Sequence, residues 1–174
     1  GVEIISKTMQ QSPDISKLMS IGAEALKVLA EEDDLTKVLA TLFRFDQFDN
    51  KVISEALGLL GNLSLITENA NYFADKGCVD VLLNLIHFKC KQQQLSSSDI
   101  AVVATGVRAL GRLIIDVKHA TQFGKVNGMD HLTYLVKRFA SEEVVMNAVL
   151  DSLQNLANTK VGQMLILDSG IFPM

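Results

Sequence analysis

The chain has few aromatic residues: 8 Phe, 2 Tyr and no Trp among its 174 residues. It also has only 2 prolines, although apolar residues make up 48% of the sequence. Scarce proline and abundant helix formers argue against an all-β fold, so Leu, Ala, Val and Ile are expected to build a helical core. The length suits a single domain that is large enough to bury a sizeable core.

The sequence also lacks the marks of a membrane or secreted protein. It has no run of 18 apolar residues, so no transmembrane helix is predicted. The first residues do not show the basic-then-apolar order of a signal peptide, which favours an intracellular, cytoplasmic location. Two cysteines, Cys78 and Cys90, are too few for a disulfide scaffold, and we interpret them as reduced core or surface thiols.

No common catalytic motif is present. The 3 histidines, His87, His119 and His131, fall in different segments, and none belongs to a metalloprotease, nucleophile-elbow or phosphate-loop pattern. His87 and Cys90 lie at i and i+3 with Cys78 upstream, but a fourth ligand is missing and the spacing matches no common zinc module. We therefore expect no enzymatic activity, no cofactor and no metal site.

The charge balance disfavours nucleic acid as a partner. The chain carries 16 basic and 20 acidic residues, a formal net charge of −4. No stripe of Lys or Arg stands out that could neutralise a row of phosphates. We expect a partner other than DNA or RNA.

What the sequence does contain is a helical segment that recurs. Residues 56–63 have counterparts at 22–29, 106–113 and 149–156. The central leucines Leu26, Leu60, Leu110 and Leu153 are 34, 50 and 43 positions apart, a mean close to the roughly 40 to 47 residues of known helical arrays. Each copy has apolar residues at helical spacing and a small or β-branched residue four positions before its central leucine. We expect the small residues to let a neighbouring helix approach closely.

A second recurring feature is a glycine with an apolar residue four positions later. It occurs at Gly1, Gly77, Gly128 and Gly170. We interpret each as a turn between a short helix and a second helix, which the long helix follows. A three-helix unit of this kind cannot bury its apolar face alone, so neighbouring units must stack.

Residues 69–85, followed later by residues 109–113, resemble an armadillo repeat, as do residues 161–174. The endings Gly61-Asn62-Leu63 and Gln154-Asn155-Leu156-Ala157 resemble the same family. The resemblance implies an all-α fold, a right-handed α-solenoid of about three to four three-helix repeats. It places these in one domain, 1–174, with repeats at about 1–30, 31–66, 67–116 and 117–157 and a partial repeat at 158–174. Because the chain starts at a turn glycine and stops four residues beyond another, we expect this domain to be part of a longer solenoid. At 31–50 the chain departs from the pattern, because no glycine marks the second helix.

The pattern predicts where the first of these helices begin and end. A long helix is expected over residues 50–66. The polar stretch 88–98 is expected to form a mobile loop before the next long helix. That helix is predicted to run to Asp116, with Ser98 or Asp99 as its N-terminal cap.

The last repeat is predicted in the same way. Two short helices are expected near 118–126 and 129–140. A long helix should follow from Glu142 to Ala157, capped by Ser141 and with acidic residues in its first turn.

In armadillo proteins the third helix of each repeat lines a concave groove that holds extended peptides, often through an Asn late in that helix. Carried over to this sequence, that column is Val28, Asn62, Arg112 and Asn155. One turn earlier lies the row Glu24, Gly58, Arg108 and Asp151. The importin-alpha type has Trp in the earlier row, and this chain has none, which argues against basic nuclear-localisation peptides.

The candidate groove therefore supports two interpretations of its charged residues. In the first, Asn62, Arg108, Arg112 and Asn155 hold the backbone and the acidic or phosphorylated residues of a peptide, over a floor left open by Gly58 and Gly111. In the second, the arginines pair with Glu24, Asp151 or other local acids and keep the surface soluble.

Two functions are compatible with these sequence features. The chain is either a non-enzymatic scaffold or adaptor that binds a protein or peptide partner, or a structural spacer within a larger cytoskeletal or trafficking complex. These two functions differ in where a mutation would do harm: charge reversal in the groove should abolish binding only in the first. The identity of the partner does not follow from the sequence.

Overall fold

The computed structural model describes residues 49–172. The predicted repeat at 1–30, the start of the repeat at 31–66, and the candidate groove residues Glu24 and Val28 lie outside this part. Within residues 49–172 every regular element is an α-helix and no strand occurs. The all-α prediction is therefore confirmed for the described part of the chain. No helix there combines the length and the hydropathy needed to cross a bilayer.

Eight helices follow one another in residues 49–172, and they are numbered here in chain order. They are α1 Asn50–Leu63, α2 Thr67–Asp75, α3 Cys78–Cys90, α4 Ser97–Leu113, α5 Val117–Lys125, α6 Gly128–Arg138, α7 Glu143–Ala157 and α8 Lys160–Asp168. A short, a medium and a long helix thus occur in the same order twice, first as α2, α3 and α4 (9, 13 and 17 residues) and then as α5, α6 and α7 (9, 11 and 15 residues).

The turns between short and medium helices use a left-handed residue, as a glycine-marked turn predicts. Gly77 has a φ of 86°, and Gly170 after α8 has a φ of 62°. In the second set the left-handed residue is Asn127, with a φ of 56°, and Gly128 begins α6 instead. Gly128 is needed for space, because a Cβ there would collide with the Phe123 ring. The glycine is predicted correctly, but its role differs from that of Gly77.

Two of the predicted helix starts are wrong. The cap of α4 is Ser96, whose Oγ accepts from the Asp99 backbone while the Asp99 carboxylate accepts from the Ser96 backbone, a reciprocal capping box. Helix α7 begins after Glu142, which makes no side-chain cap. Ser141 does not cap it, because the chain there turns so that the Glu142 backbone donates to the Phe139 carbonyl at 2.9 Å.

The expected loop at 88–98 is also shorter than predicted, because α3 continues to Cys90. Lys89 in its last turn is buried, and its Nζ donates to Asn50 Oδ1 at 2.6 Å and lies 3.6 Å from Asp99 Oδ1. Asn50 Nδ2 in turn donates to Asp99 Oδ1 at 2.7 Å. This polar cluster ties the start of α1 and the start of α4 to the end of α3, and a buried Lys is tolerated only because it is paired.

Helix α4 lies at the centre of the packing, in contact with α1 and α7 on its two sides and with α3 beneath. The central leucines of the recurring segment, Leu60, Leu110 and Leu153, are all buried, as the sequence predicts. Gly111 allows a close approach of α7, because a Cβ added there would lie 2.8 Å from Cα of Ser152. Ser152 is fully buried, and its Oγ donates to the Val107 carbonyl at 2.9 Å. The long helices α1, α4 and α7 therefore form one packed row.

Candidate functional site

Helix α4 exposes only one narrow line of residues. After its first turn the accessible positions are Ala101, Thr105, Arg108 and Arg112, and every other residue up to Leu113 is buried. The spacing of four, three and four places them on one face of the helix. Beyond its first turn, any contact that α4 makes with a partner must therefore involve these residues.

Helices α1 and α7 extend this line on either side. On α1 the accessible residues include Ser54, Gly58 and Asn62, and on α7 they include Asp151 and Asn155. We call this surface the α1–α4–α7 stripe, defined by Ser54, Gly58, Asn62, Thr105, Arg108, Arg112, Asp151 and Asn155. It contains every predicted groove residue that lies in the described part of the chain, apart from the buried Gly111 of the expected groove floor.

Arg112 is held by Asn62 across the α1–α4 boundary. Its Nη1 donates to Asn62 Oδ1 at 3.1 Å. Gly61 makes room for this guanidinium, since a Cβ there would lie only 3.1 Å from Nη1. Ser54 of α1 and Thr105 of α4 form a second contact between the same two helices, with their hydroxyl oxygens 3.2 Å apart. The hydrogen bond to Asn62 therefore orients the Arg112 guanidinium towards α1.

Asn155 bridges α7 to the end of α4. Its Nδ2 donates to the Gly111 carbonyl at 3.2 Å. The last carbonyls of a helix have no partner within it, so this amide satisfies one of them. An amide offers both a donor group and an acceptor oxygen. Among residues 49–172 no hydrogen bond uses Asn155 Oδ1 or Asn62 Nδ2, which can bond to other groups.

Arg108 has a different environment from Arg112. It is half-buried one turn before Arg112, and within residues 49–172 its guanidinium makes no hydrogen bond or ion pair. Asp151, the acid in the corresponding position on α7, is exposed and likewise pairs with neither arginine. In this part of the chain the two arginines are not neutralised by local acids. Within residues 49–172 the α1–α4–α7 stripe therefore carries two positive charges that have no carboxylate partner.

The two glycines of the expected groove floor differ in what they do. Gly58 is accessible, and a Cβ there would come no nearer than 4.0 Å to the Thr105 methyl group. Gly111 is buried against Ser152 and does not form part of the surface. Gly58 is therefore accessible, whereas Gly111 is not and cannot be part of a groove floor. Gly111 serves the contact between α4 and α7.

Two hydrogen bonds of the stripe could not be predicted from the sequence. The pairs Arg112 with Asn62 and Asn155 with Gly111 are 50 and 44 positions apart, and only the register of the packed helices brings them together. The comparison of this chain with protein-family models, curated proteins and solved structures finds no match. A function for the chain is accordingly inferred from the geometry of the stripe.

Proposed function

We propose that the chain is an armadillo-like α-solenoid that acts as a non-enzymatic scaffold or adaptor for a partner protein. Two features support the solenoid. The short, medium and long helices recur in one order, and the long helices α1, α4 and α7 pack side by side. Repeated units that stack in this way create an extended surface along their equivalent helices. The α1–α4–α7 stripe is that surface here.

The ligand best suited to this stripe is an extended peptide segment. Within the described residues, the Asn62 Nδ2 donor on α1 and the Asn155 Oδ1 acceptor on α7 make no hydrogen bond. An extended peptide presents backbone carbonyl and N–H groups that pair with such amides, as in strand addition. The backbone contacts would hold the peptide along the α1–α4–α7 stripe, and the side chains of the peptide would determine specificity.

The observation that carries the proposal is the half-buried Arg108, which has no carboxylate partner in residues 49–172. A guanidinium binds carboxylate or phosphate through two parallel hydrogen bonds, and such charge-assisted bonds are stronger than neutral ones. Arg112 lies one turn away on the same face, already oriented by Asn62. We infer that the peptide carries an acidic or phosphorylated residue at the position that faces these two arginines.

Affinity capture from cell lysate tests this proposal. The wild-type chain is compared with Arg108→Glu/Arg112→Glu, and bound proteins are identified by mass spectrometry after circular dichroism has shown that both chains are folded. The matched control is Lys125→Glu/Lys160→Glu, which makes the same change of charge at two exposed lysines outside the stripe. A partner that the control retains and the stripe variant loses supports the proposal. Equal recovery by all three chains contradicts it.

A second function is favoured by a different surface. Helix α8 exposes Met164 to 63% and Leu167 to 80%, and Phe172 beyond it is 58% exposed. Exposed apolar side chains that lie close together mark contact surfaces. A structural segment that assembles with other helical units of a cytoskeletal or trafficking complex would use this end of the molecule. Leu167→Glu/Met164→Glu should then abolish assembly, while reversal of the stripe charges should leave it unchanged.

A further inference from the structure

A cleft of about 310 Å³ lies between α3 and α6, on different helices from the stripe. Its lining residues are His87, Lys91, Asp130, His131 and Tyr134. The Tyr134 hydroxyl donates to the Cys90 carbonyl at 3.3 Å, which ties α6 to the end of α3. The sequence pattern pairs His87 with Cys90. The structure places it beside His131 instead.

The two imidazole rings meet edge to face, with their centres 5.5 Å apart and their planes at 85°. His87 is exposed and His131 half-buried, and within residues 49–172 neither ring makes a hydrogen bond. Neutral imidazole carries a lone pair on one ring nitrogen, and that lone pair is what a metal ion binds.

The separation of the rings suits two ligands of a single ion. Imidazole nitrogens bind zinc at about 2.0–2.1 Å in a tetrahedral arrangement, which places two ring centres about 5 Å apart. The observed separation of 5.5 Å is close to this value. The described residues contain no group of three or more His, Cys, Asp or Glu side chains placed to hold a metal. An ion in this cleft would therefore have two protein ligands.

The charge of the cleft does not oppose a cation. Asp130 lines it and offsets the ammonium group of Lys91, whose long flexible stem lets that group move towards water. Both imidazoles are uncharged when they act as ligands. A divalent ion would therefore enter a cleft with no net positive charge from these side chains.

No other imidazole or thiol of the chain competes for the ion. His119, the third and last histidine, is 1% exposed and its Nε2 lies 2.9 Å from Asp75 Oδ1. Cys78 and Cys90, the only cysteines, are buried, and burial raises the pKa of their thiols to about 12 and about 11. Thiols bind metals as thiolates, so both are poor ligands in the folded chain. Metal binding through an imidazole nitrogen or a thiolate sulfur can therefore be assigned to the cleft that His87 and His131 line.

We propose that His87 and His131 together bind one divalent transition-metal ion of the zinc, nickel and copper class, with water completing its coordination. The ion joins α3 to α6, which belong to the two successive sets of three helices. Because it binds the folded chain and not two distant histidines of an unfolded one, it also raises the melting temperature. Copper(II) binds more tightly than nickel(II) or zinc(II), as the general order for such ligands requires.

Calorimetric titration of the full chain with zinc chloride tests the proposal. One ion per chain is expected, with a saturable heat. His87→Gln and His131→Gln should each weaken binding by more than the roughly 10–100-fold that loss of a group hydrogen-bonded to a metal ligand causes. Lys91→Gln is the matched control, since it changes the same cleft without removing a ligand, and its affinity should stay the same or rise. Absence of saturable binding by the wild-type chain, or unchanged binding by His131→Gln, overturns the proposal.

A spectroscopic measurement on the wild-type chain makes the test independent of how the variants fold. Electron paramagnetic resonance of one equivalent of copper(II) should show coupling to two imidazole nitrogens. A spectrum with one imidazole nitrogen or none overturns the assignment. The melting temperature of the wild-type chain should rise with one equivalent of zinc, and that of His87→Gln should not.

Discussion

Helices α4 and α8 are both rich in apolar residues but have opposite surroundings. Helix α4 lies between α1 and α7, and ten of its 17 residues are buried. Helix α8 packs on α5 and α7, and Gly162 is its only buried residue. The burial of an apolar residue in this chain is therefore set by the number of neighbouring helices. The helix with neighbours on both sides provides stability, and it leaves only a narrow polar line for contact with other molecules.

The largest expected difference between the two helices is the effect of removing a leucine. Leu110→Ala on α4 should lower the free energy of unfolding by about 2–5 kcal/mol, because it leaves a cavity at a side chain that is 0% exposed. Leu167→Ala on α8 removes a side chain that is 80% exposed and should change it by less than about 0.5 kcal/mol. Urea unfolding followed by circular dichroism measures both. Equal losses would show that α8 is covered in solution.

The next largest expected effect is the difference in stability between alanine substitutions at two glycines of the long helices, Gly111 on α4 and Gly58 on α1. Gly111→Ala should destabilise the chain by about 1–3 kcal/mol, because the new methyl group would overlap the Ser152 backbone. Gly58→Ala should have the opposite sign and stabilise by about 0.5–1 kcal/mol, since Ala is the better helix former and the space is open. Thermal unfolding of the two variants beside the wild type gives both signs. Destabilisation by both would mean that Gly58 is also covered.

A smaller expected effect is a difference between the N-terminal caps of α4 and α8 in how their contribution to stability responds to acid. Burial raises the pKa of Asp99, but hydrogen bonds from Ser96 and Asn50 and the charge of Lys89 outweigh it, so the pKa lies below its ordinary 3.8. Asp99 therefore stabilises the fold fully above about pH 4, and this contribution is lost as the pH falls through the lowered pKa. Helix α8 is capped by the uncharged Thr159, whose Oγ1 accepts from the Gly162 backbone at 2.9 Å. That cap does not titrate.

The matched variants for this prediction are Asp99→Asn and Thr159→Ala. Melting temperatures are measured from pH 7 to about pH 2.5, a range that extends below the ordinary carboxyl pKa of 3.8. The wild type and Thr159→Ala should lose stability with the same slope below about pH 4, whereas Asp99→Asn should start lower and show a shallower slope. Thr159→Ala itself should cost about 1 kcal/mol at every pH, as loss of a cap does. Parallel curves for all three chains would contradict the assignment of Asp99.

The sequence predicts the packed row well, because local pattern decides it. Small residues before the central leucines, such as Ala56 and Gly106, are buried as expected, and a Cβ at Gly106 would lie 3.3 Å from Ile86. The ends of the helices are harder to predict. Lys89 continues α3 because Asn50 and Asp99 bind its ammonium, and these partners lie far along the chain or beyond a loop. A local pattern cannot contain that information.

For the candidate site, too, some features follow from the local sequence and others depend on contacts between residues that are distant in the sequence. The resemblance to armadillo repeats implies that Asn62, Arg108, Arg112 and Asn155 lie on one face of the long helices, and all four residues are accessible. The register between α1 and α4 brings Arg112 to Asn62 and leaves Arg108 without a partner in residues 49–172. The meeting of His87 with His131 depends in the same way on the packing of α3 against α6. These contacts are products of the tertiary fold.

The most direct test of the central claim is selection of a displayed library of random linear peptides on the immobilised wild-type chain. Peptides that also bind Arg108→Glu/Arg112→Glu are removed, and retention by Lys125→Glu/Lys160→Glu is required. The stripe should enrich segments with acidic residues, and Arg108→Ala should weaken them more than Leu167→Ala does. If no peptide survives, or if the survivors bind the stripe variant equally well, the α1–α4–α7 stripe is not a peptide-binding surface.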